Sequence, residues 1–124
     1  MGLSGSAWSR GGGALRELTT VGIEFTTSSE AVTVVSGKGQ RGFTVGNFST
    51  GVATLTFPDH ISFLAGVGHA NTDSATAGSR QVILVNNVSY ANGTATLRCT
   101  DGADGDTEAI ANGTYRLVLQ CGES

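Results

Sequence analysis

The chain has 124 residues, a net charge of −3 and only 14% charged residues, against about 25% in ordinary soluble domains. That length fits one domain with one core. The absence of a basic field excludes a sequence-independent grip on nucleic acid or an anionic bilayer, and no stretch approaches the ~18 apolar residues of a spanning helix.

Residues 1–14, MGLSGSAWSRGGGA, read as an extended N-terminal arm ahead of one domain over 15–124. The arm has no apolar segment of the kind a secretory signal needs, which leads to the expectation of synthesis and assembly in a cytoplasm. Gly11-Gly12-Gly13 interrupts it, and Trp8 is its only large anchor and its one aromatic residue. Trp and Arg are favoured anchors at protein interfaces, so Trp8 and Arg10 are the expected partner-binding residues.

Strand signals follow in order. Val21, Ile23 and Phe25 alternate with Thr20, Gly22 and Glu24, the period of a half-buried strand. Val32 to Val35 is a short strand before the turn Ser36-Gly37-Lys38-Gly39. Phe43 and Val45 mark another, and Ala53, Leu55 and Phe57 one more before Pro58. Ile61, Phe63, Ala65 and Val67 alternate and are expected on the core face. His69 shares their parity. Val82 to Val85 is apolar at every position, which suits a central strand.

The tetrapeptide Ala-Asn-Gly-Thr occurs twice, at 91–94 and 111–114. Asn-Gly favours a type I′ hairpin turn, whose two central residues need positive φ. Centring a turn on Asn92-Gly93 pairs Val88 with Leu97 and Tyr90 with Ala95, and sorts apolar from polar residues onto opposite faces. A second turn centred on Asn112-Gly113 sets Ile110 opposite Tyr115. It continues an inward face through Leu117, Leu119 and Cys121, with Arg116, Val118 and Gln120 looking the other way. No window carries a helical period. The expectation is an all-β antiparallel sandwich or barrel-like domain of about eight short strands.

Signals for chemistry are sparse. Asp101, Asp104, Asp106 and Glu108 lie on a glycine-rich loop, the residue types of a calcium site. Their spacing departs from the EF-hand loop because Ala103 fills a ligand position, so a solvated acidic loop and no metal is the expectation. His60 and His69 have no neighbours at metal-ligand spacing. Cys99 and Cys121 both fall at core parity, where buried free thiols compete with a disulfide within or between chains. SGKGQRG at 36–42 lacks the phosphate-loop pattern and precedes a strand, so it reads as a hairpin tip. No G-x-S-x-G context supports a nucleophile. The chain is therefore expected to be non-enzymatic, with neither catalytic residues nor a cofactor. Arginine outnumbers lysine, with Lys38 alone against Arg10, Arg16, Arg41, Arg80, Arg98 and Arg116. Scarce lysine suits a surface covered by neighbours.

The Gly/Thr/Asn-rich β pattern, with TGVATLTFP at 50–58 and NGTYRLVLQ at 112–120, resembles small virion proteins of tailed bacteriophages. Capsid decoration proteins and the distal domains of tail fibres are the relevant kinds, and the likeness extends over about residues 40–121. The resemblance implies a β-sandwich that works as a homo-oligomer, often a trimer, on a capsid. It further implies a major capsid protein or other virion protein as partner, and a place in the virion. It carries no functional residue over to this chain. The alternative expectation is a carbohydrate- or receptor-binding β-sandwich at a fibre tip. Such a site needs exposed aromatic faces, whereas Tyr90 and Tyr115 are both expected to point inward.

Overall fold

The computed structural model of the chain describes residues 18–35, 42–70, 81–101 and 105–123. They form eight strands and no helix: β1 Thr19–Ser28, β2 Ala31–Val34, β3 Thr44–Val45, β4 Val52–Thr56, β5 Ile61–Ala70, β6 Gln81–Ser89, β7 Thr94–Asp101 and β8 Gly113–Glu123. All pair antiparallel in one sheet of order β2-β1-β8-β5-β6-β7-β4-β3. Strands β5, β6 and β7 are sequential neighbours and β8 returns beside β5, which is a Greek key. The sheet curls into a nearly closed barrel. Its two edges meet where Phe48 N–H donates to the Glu30 carbonyl at 2.9 Å and Val32 N–H donates to Asn47 Oδ1 at 2.9 Å. These bonds occupy edge groups that would otherwise be open to another chain.

The inward face follows the alternation read from sequence in most strands. Val21, Ile23 and Phe25, Phe43 and Val45, Ala53 and Leu55, Ala95, Leu97 and Cys99, and Tyr115, Leu117, Leu119 and Cys121 are all buried. Burying a large aliphatic or aromatic side chain contributes about 1.5–3 kcal/mol, so this one cluster dominates the stability. At one end Phe25 stacks on Tyr115 and on Phe48, with ring centroids 5.8 and 6.2 Å apart.

Three expectations are corrected. The β6–β7 hairpin exists, but its register differs: Ser89 pairs with Thr94, Asn86 with Thr96 and Val85 with Leu97, with a bulge between Asn86 and Ser89. Tyr90 to Gly93 form a four-residue turn closed by Gly93 N–H donating to the Ser89 carbonyl at 2.9 Å. Asn87 takes φ +50° in the bulge and Gly93 φ +69° in the turn, so the extra residues use positive φ in a longer loop.

The second Ala-Asn-Gly-Thr is not a hairpin. Ile110 precedes β8 and does not face Tyr115; β8 pairs with β1 on one side and β5 on the other. Asn112 spends its side chain across the barrel end, where Oδ1 accepts the Ser29 N–H at 2.8 Å.

Strand β5 is turned over. A register shift between Ile61 and Phe63 leaves Ile61 and Leu64 buried and places Phe63, Ala65 and Val67 on the outward face. Inward, Gly66 and Gly68 take the places of side chains. A Cβ on Gly66 would meet Val118 O and Leu119 Cδ2, and one on Gly68 would sit 3.2 Å from both Ile83 Cβ and Leu117 Cδ1. Leu117, Leu119 and Ile83 already fill the barrel there, so only glycine fits and the apolar set of β5 looks outward.

Candidate assembly surface

The outward face carries an apolar row that runs straight across the sheet. Register pairs link Gly22 to Val118, Val118 to Val67, Val67 to Leu84, Leu84 to Arg98 and Arg98 to Val52, through β1, β8, β5, β6, β7 and β4. Val118 is 41% exposed, Val67 45%, Leu84 40% and Val52 39%. Cross-strand neighbours stand about 4.5–5.5 Å apart at Cβ, so Val118, Val67 and Leu84 form one continuous strip, which Arg98 separates from Val52. Leu18, just before β1, is 51% exposed and shares the outward parity of Thr20 and Gly22. Scattered exposed apolar residues are ordinary, whereas a contiguous strip rimmed by polar groups marks an interaction surface. The rim is mostly polar: Thr20, Gln120, Glu24, Arg116 and His69 flank the row, with Ala65 and Val82 between them on β5 and β6, and Gln120 Nε2 donates to Thr20 Oγ1 at 2.9 Å.

Periodicity alone does not reveal this face, because Phe63, Ala65 and Val67 share the parity of the buried Ile61. Two signals pointed to it. Val118 already falls opposite the inward Leu117 and Leu119, and Val82 to Val85 is apolar on both faces with only one face buried in the barrel.

The residues singled out for chemistry are dispersed. Trp8, Arg10 and the arm they belong to lie outside the described residues, as does Asp104. Asp101 N–H donates to the Asp106 carbonyl at 3.0 Å and Glu108 N–H to the Cys99 carbonyl at 3.0 Å, so the acidic loop is folded back on β7 by its backbone. Gln81 Nε2 donates to the Glu108 carboxylate and to the Ala109 carbonyl. No group of three His, Cys, Asp or Glu side chains that could hold a metal occurs among the described residues. His69 stands on the outward face, and Tyr90, expected inward, is 42% exposed. Tyr90 packs edge-on against Phe57 at 6.2 Å, with its hydroxyl accepting the Leu64 N–H at 3.1 Å.

Cys99 and Cys121 are free and buried, on strands separated by β5 and β6. Burial, reinforced by the Glu108 and Glu30 carboxylates, pushes the Cys99 thiol up to about 12. Burial raises Cys121 as well. Both are therefore protonated, unreactive core residues at neutral pH. Burial also pushes the Tyr115 hydroxyl up to about 12. That hydroxyl bridges Gln81 Oε1 and the Ala111 carbonyl at 3.0 and 2.9 Å, which pins the loop before β8 to the barrel.

A cavity of about 230 Å³ at the barrel mouth is lined by Thr19, Val21, Phe43, Pro58, His60 and Cys121. It falls below the ~300–1,000 Å³ of small-molecule sites. Comparison of the chain with protein-family models, with curated proteins and with solved structures finds no match.

Proposed function

We propose that the protein is a non-enzymatic structural component of an assembly, namely an outer capsid decoration or cementing protein of a tailed-phage particle. The supporting observation is the exposed row Val118–Val67–Leu84, which gives a rigid barrel a ready apolar docking face. Low charge, scarce lysine and the resemblance of TGVATLTFP and NGTYRLVLQ to virion β domains support the same reading. Its mechanism is binding energy alone. Each copy covers its apolar face against the shell or a neighbouring copy, and repetition over many copies converts weak contacts into firm attachment.

The test is immunogold electron microscopy with an antibody against the purified chain on gradient-purified phage particles. Regular labelling over the capsid is expected. Label confined to the fibre tips would favour the carbohydrate- or receptor-binding alternative, and unlabelled particles would contradict both.

A further inference from the structure

We infer that the barrel seam is an acid-released latch: protonation of Glu30 parts the edge strands β2 and β3 while the rest of the barrel stays folded. The inference stands apart from the proposed role in a particle and rests on how the two edges are joined.

Strands β2 and β3 end the sheet and share no ladder with each other. Among the described residues, four hydrogen bonds cross from the β1–β2 side to the β3–β4 side. The Phe48 N–H donates to the Glu30 carbonyl, and the Val32 N–H to Asn47 Oδ1. The other two, from the Thr50 and Gly51 N–H groups, end on the Glu30 carboxylate. By contrast, β1 and β8 are paired without a break from Thr19–Cys121 to Thr27–Gly113. Local opening begins where such support is thinnest, and here that is the seam.

Charge strengthens half of the crossing bonds. A hydrogen bond to a carboxylate is about twice as strong as one between neutral groups. The Ile110 N–H shares Oε2 with Gly51, so three backbone donors depend on one negative charge. No cation among the described residues pairs with Glu30. Protonation therefore weakens all three bonds in one step.

The turn Ser49-Thr50-Gly51-Val52 and strand β2 bring no ionisable side chain to this point. Glu30 and Glu108 both act on Cys99 of β7, which places Glu108 on the same side of the barrel. Cys99 and the Tyr115 hydroxyl of β8, each pushed up to about 12 by burial, stay neutral in acid. Strand β7 also carries Arg98, outward and opposite Val52, and Asp101 at its end. Glu108 is the rival carboxylate, but its bond from Gln81 Nε2 does not cross the seam.

The backbone donors, led by Gly51, hold the Glu30 carboxyl below its ordinary value of 4.5. The latch is shut above that value and is released as pH falls through the lower, folded one. Release bares the buried Phe48 and the outer edges of β2 and β3, groups that pair readily with another strand.

Amide hydrogen exchange of the full chain, followed residue by residue by NMR from about pH 6 to about pH 3, tests this. Protection at Phe48 and Gly51, corrected for the intrinsic effect of pH, is expected to fall at least about fivefold. The fall should track the titration of the Glu30 carboxyl carbon. Protection at Leu117, in the middle of β8, is expected to hold. Glu30→Gln should show the lowered seam protection already at the upper pH, with no further fall, and Glu108→Gln should behave like the natural chain.

Loss of protection at Leu117 in step with Phe48 overturns the inference, because the barrel then opens as one unit. Flat protection at Phe48 and Gly51 across the range overturns it too, and the natural chain supplies that reading even where Glu30→Gln fails to fold. A pH response that survives Glu30→Gln and disappears in Glu108→Gln contradicts the assignment of the latch to Glu30.

Discussion

The carboxylate of Glu30 accepts the N–H of Gly51 at 2.8 Å and, through its other oxygen, the N–H of Thr50 at 3.0 Å. This bond joins two turns of one kind. Ser29 and Glu30, between β1 and β2, have φ of +49° and +69°; Thr50 and Gly51, between Ser49 and Val52, have φ of +52° and +81°. Two consecutive positive φ values are the mark of a type I′ turn. A third donor, Ile110 N–H, reaches Glu30 Oε2 at 3.3 Å. One carboxylate thus ties both turns and the loop before β8 at the seam where the barrel closes.

Those bonds, led by that from Gly51, hold the Glu30 carboxyl below its ordinary value against the opposing effect of burial. A lowered folded-state pKa contributes stability above the unfolded pKa near 4.5, and that stability is lost as pH falls through the folded value. Glu30→Gln is therefore expected to destabilise at pH 7 by about 1 kcal/mol, a figure held down by solvent screening at a half-buried site. The gap in urea midpoint between variant and natural chain should narrow as pH falls from 7 through and below the unfolded value near 4.5. A constant gap across that range would remove Glu30 as the acid-sensitive clamp.

Gly51 is the most constrained glycine at this seam. A Cβ there would collide with the Glu108 carbonyl, and its φ of +81° disfavours any side chain. Gly51→Ala should cost more than the about 1–3 kcal/mol of the backbone strain alone. Gly22→Ala, in open space on β1, should be neutral or stabilising by up to about 1 kcal/mol. Equal thermal midpoints for the two variants would contradict this description of the seam.

The two Asn-Gly pairs should respond differently. Gly93 has φ +69°, and a Cβ on it would lie 2.9 Å from the Phe57 carbonyl. Gly113 has φ +159°, near extended backbone, with its nearest neighbour, Tyr115 Cε1, at 3.9 Å. Gly93→Val is expected to destabilise by about 1–3 kcal/mol and Gly113→Val far less. Matching losses in denaturant midpoint would restore the second hairpin that the structure lacks.

For the thiols, a maleimide reagent should label Cys99 and Cys121 only on unfolding. Cys99 has a folded-state pKa raised from 9.0 to about 12. Its contribution to stability is thus complete below pH 9 and falls as pH rises toward 12. Cys99→Ala should flatten that alkaline limb. Labelling of the folded chain at neutral pH, at the rate of the unfolded chain, would show that the core is open.

The sequence is explicit about the barrel wherever alternation and geometry coincide. Val21 to Phe25, Ala53 to Phe57 and Tyr115 to Cys121 face inward as their period requires. It misleads where one residue inverts parity. The bulge after Ile61 exchanges the faces of β5, and periodicity alone cannot register an inserted residue. Glycine was the neglected signal: Gly66 and Gly68 fit only against a filled core. The type I′ turns carry no Asn-Gly signature: Ser29-Glu30 and Thr50-Gly51 adopt the conformation with tertiary help from a carboxylate. Val67 joins the outward apolar row only through that inversion, whereas Val118 and Leu84 lie outward by the plain alternation of β8 and β6.

The most direct test of the central claim follows Leu84 in two states. A Leu84→Cys variant places a thiol on the exposed row, with the natural cysteines buried. Its maleimide labelling rate should be fast in the dilute isolated chain. Once the variant is incorporated into particles that carry the chain, the rate should fall at least about tenfold, as expected for a side chain in the water-excluded centre of an interface. Equal rates in the free and assembled chain would show that the row stays open to solvent, and would contradict its role as the assembly surface.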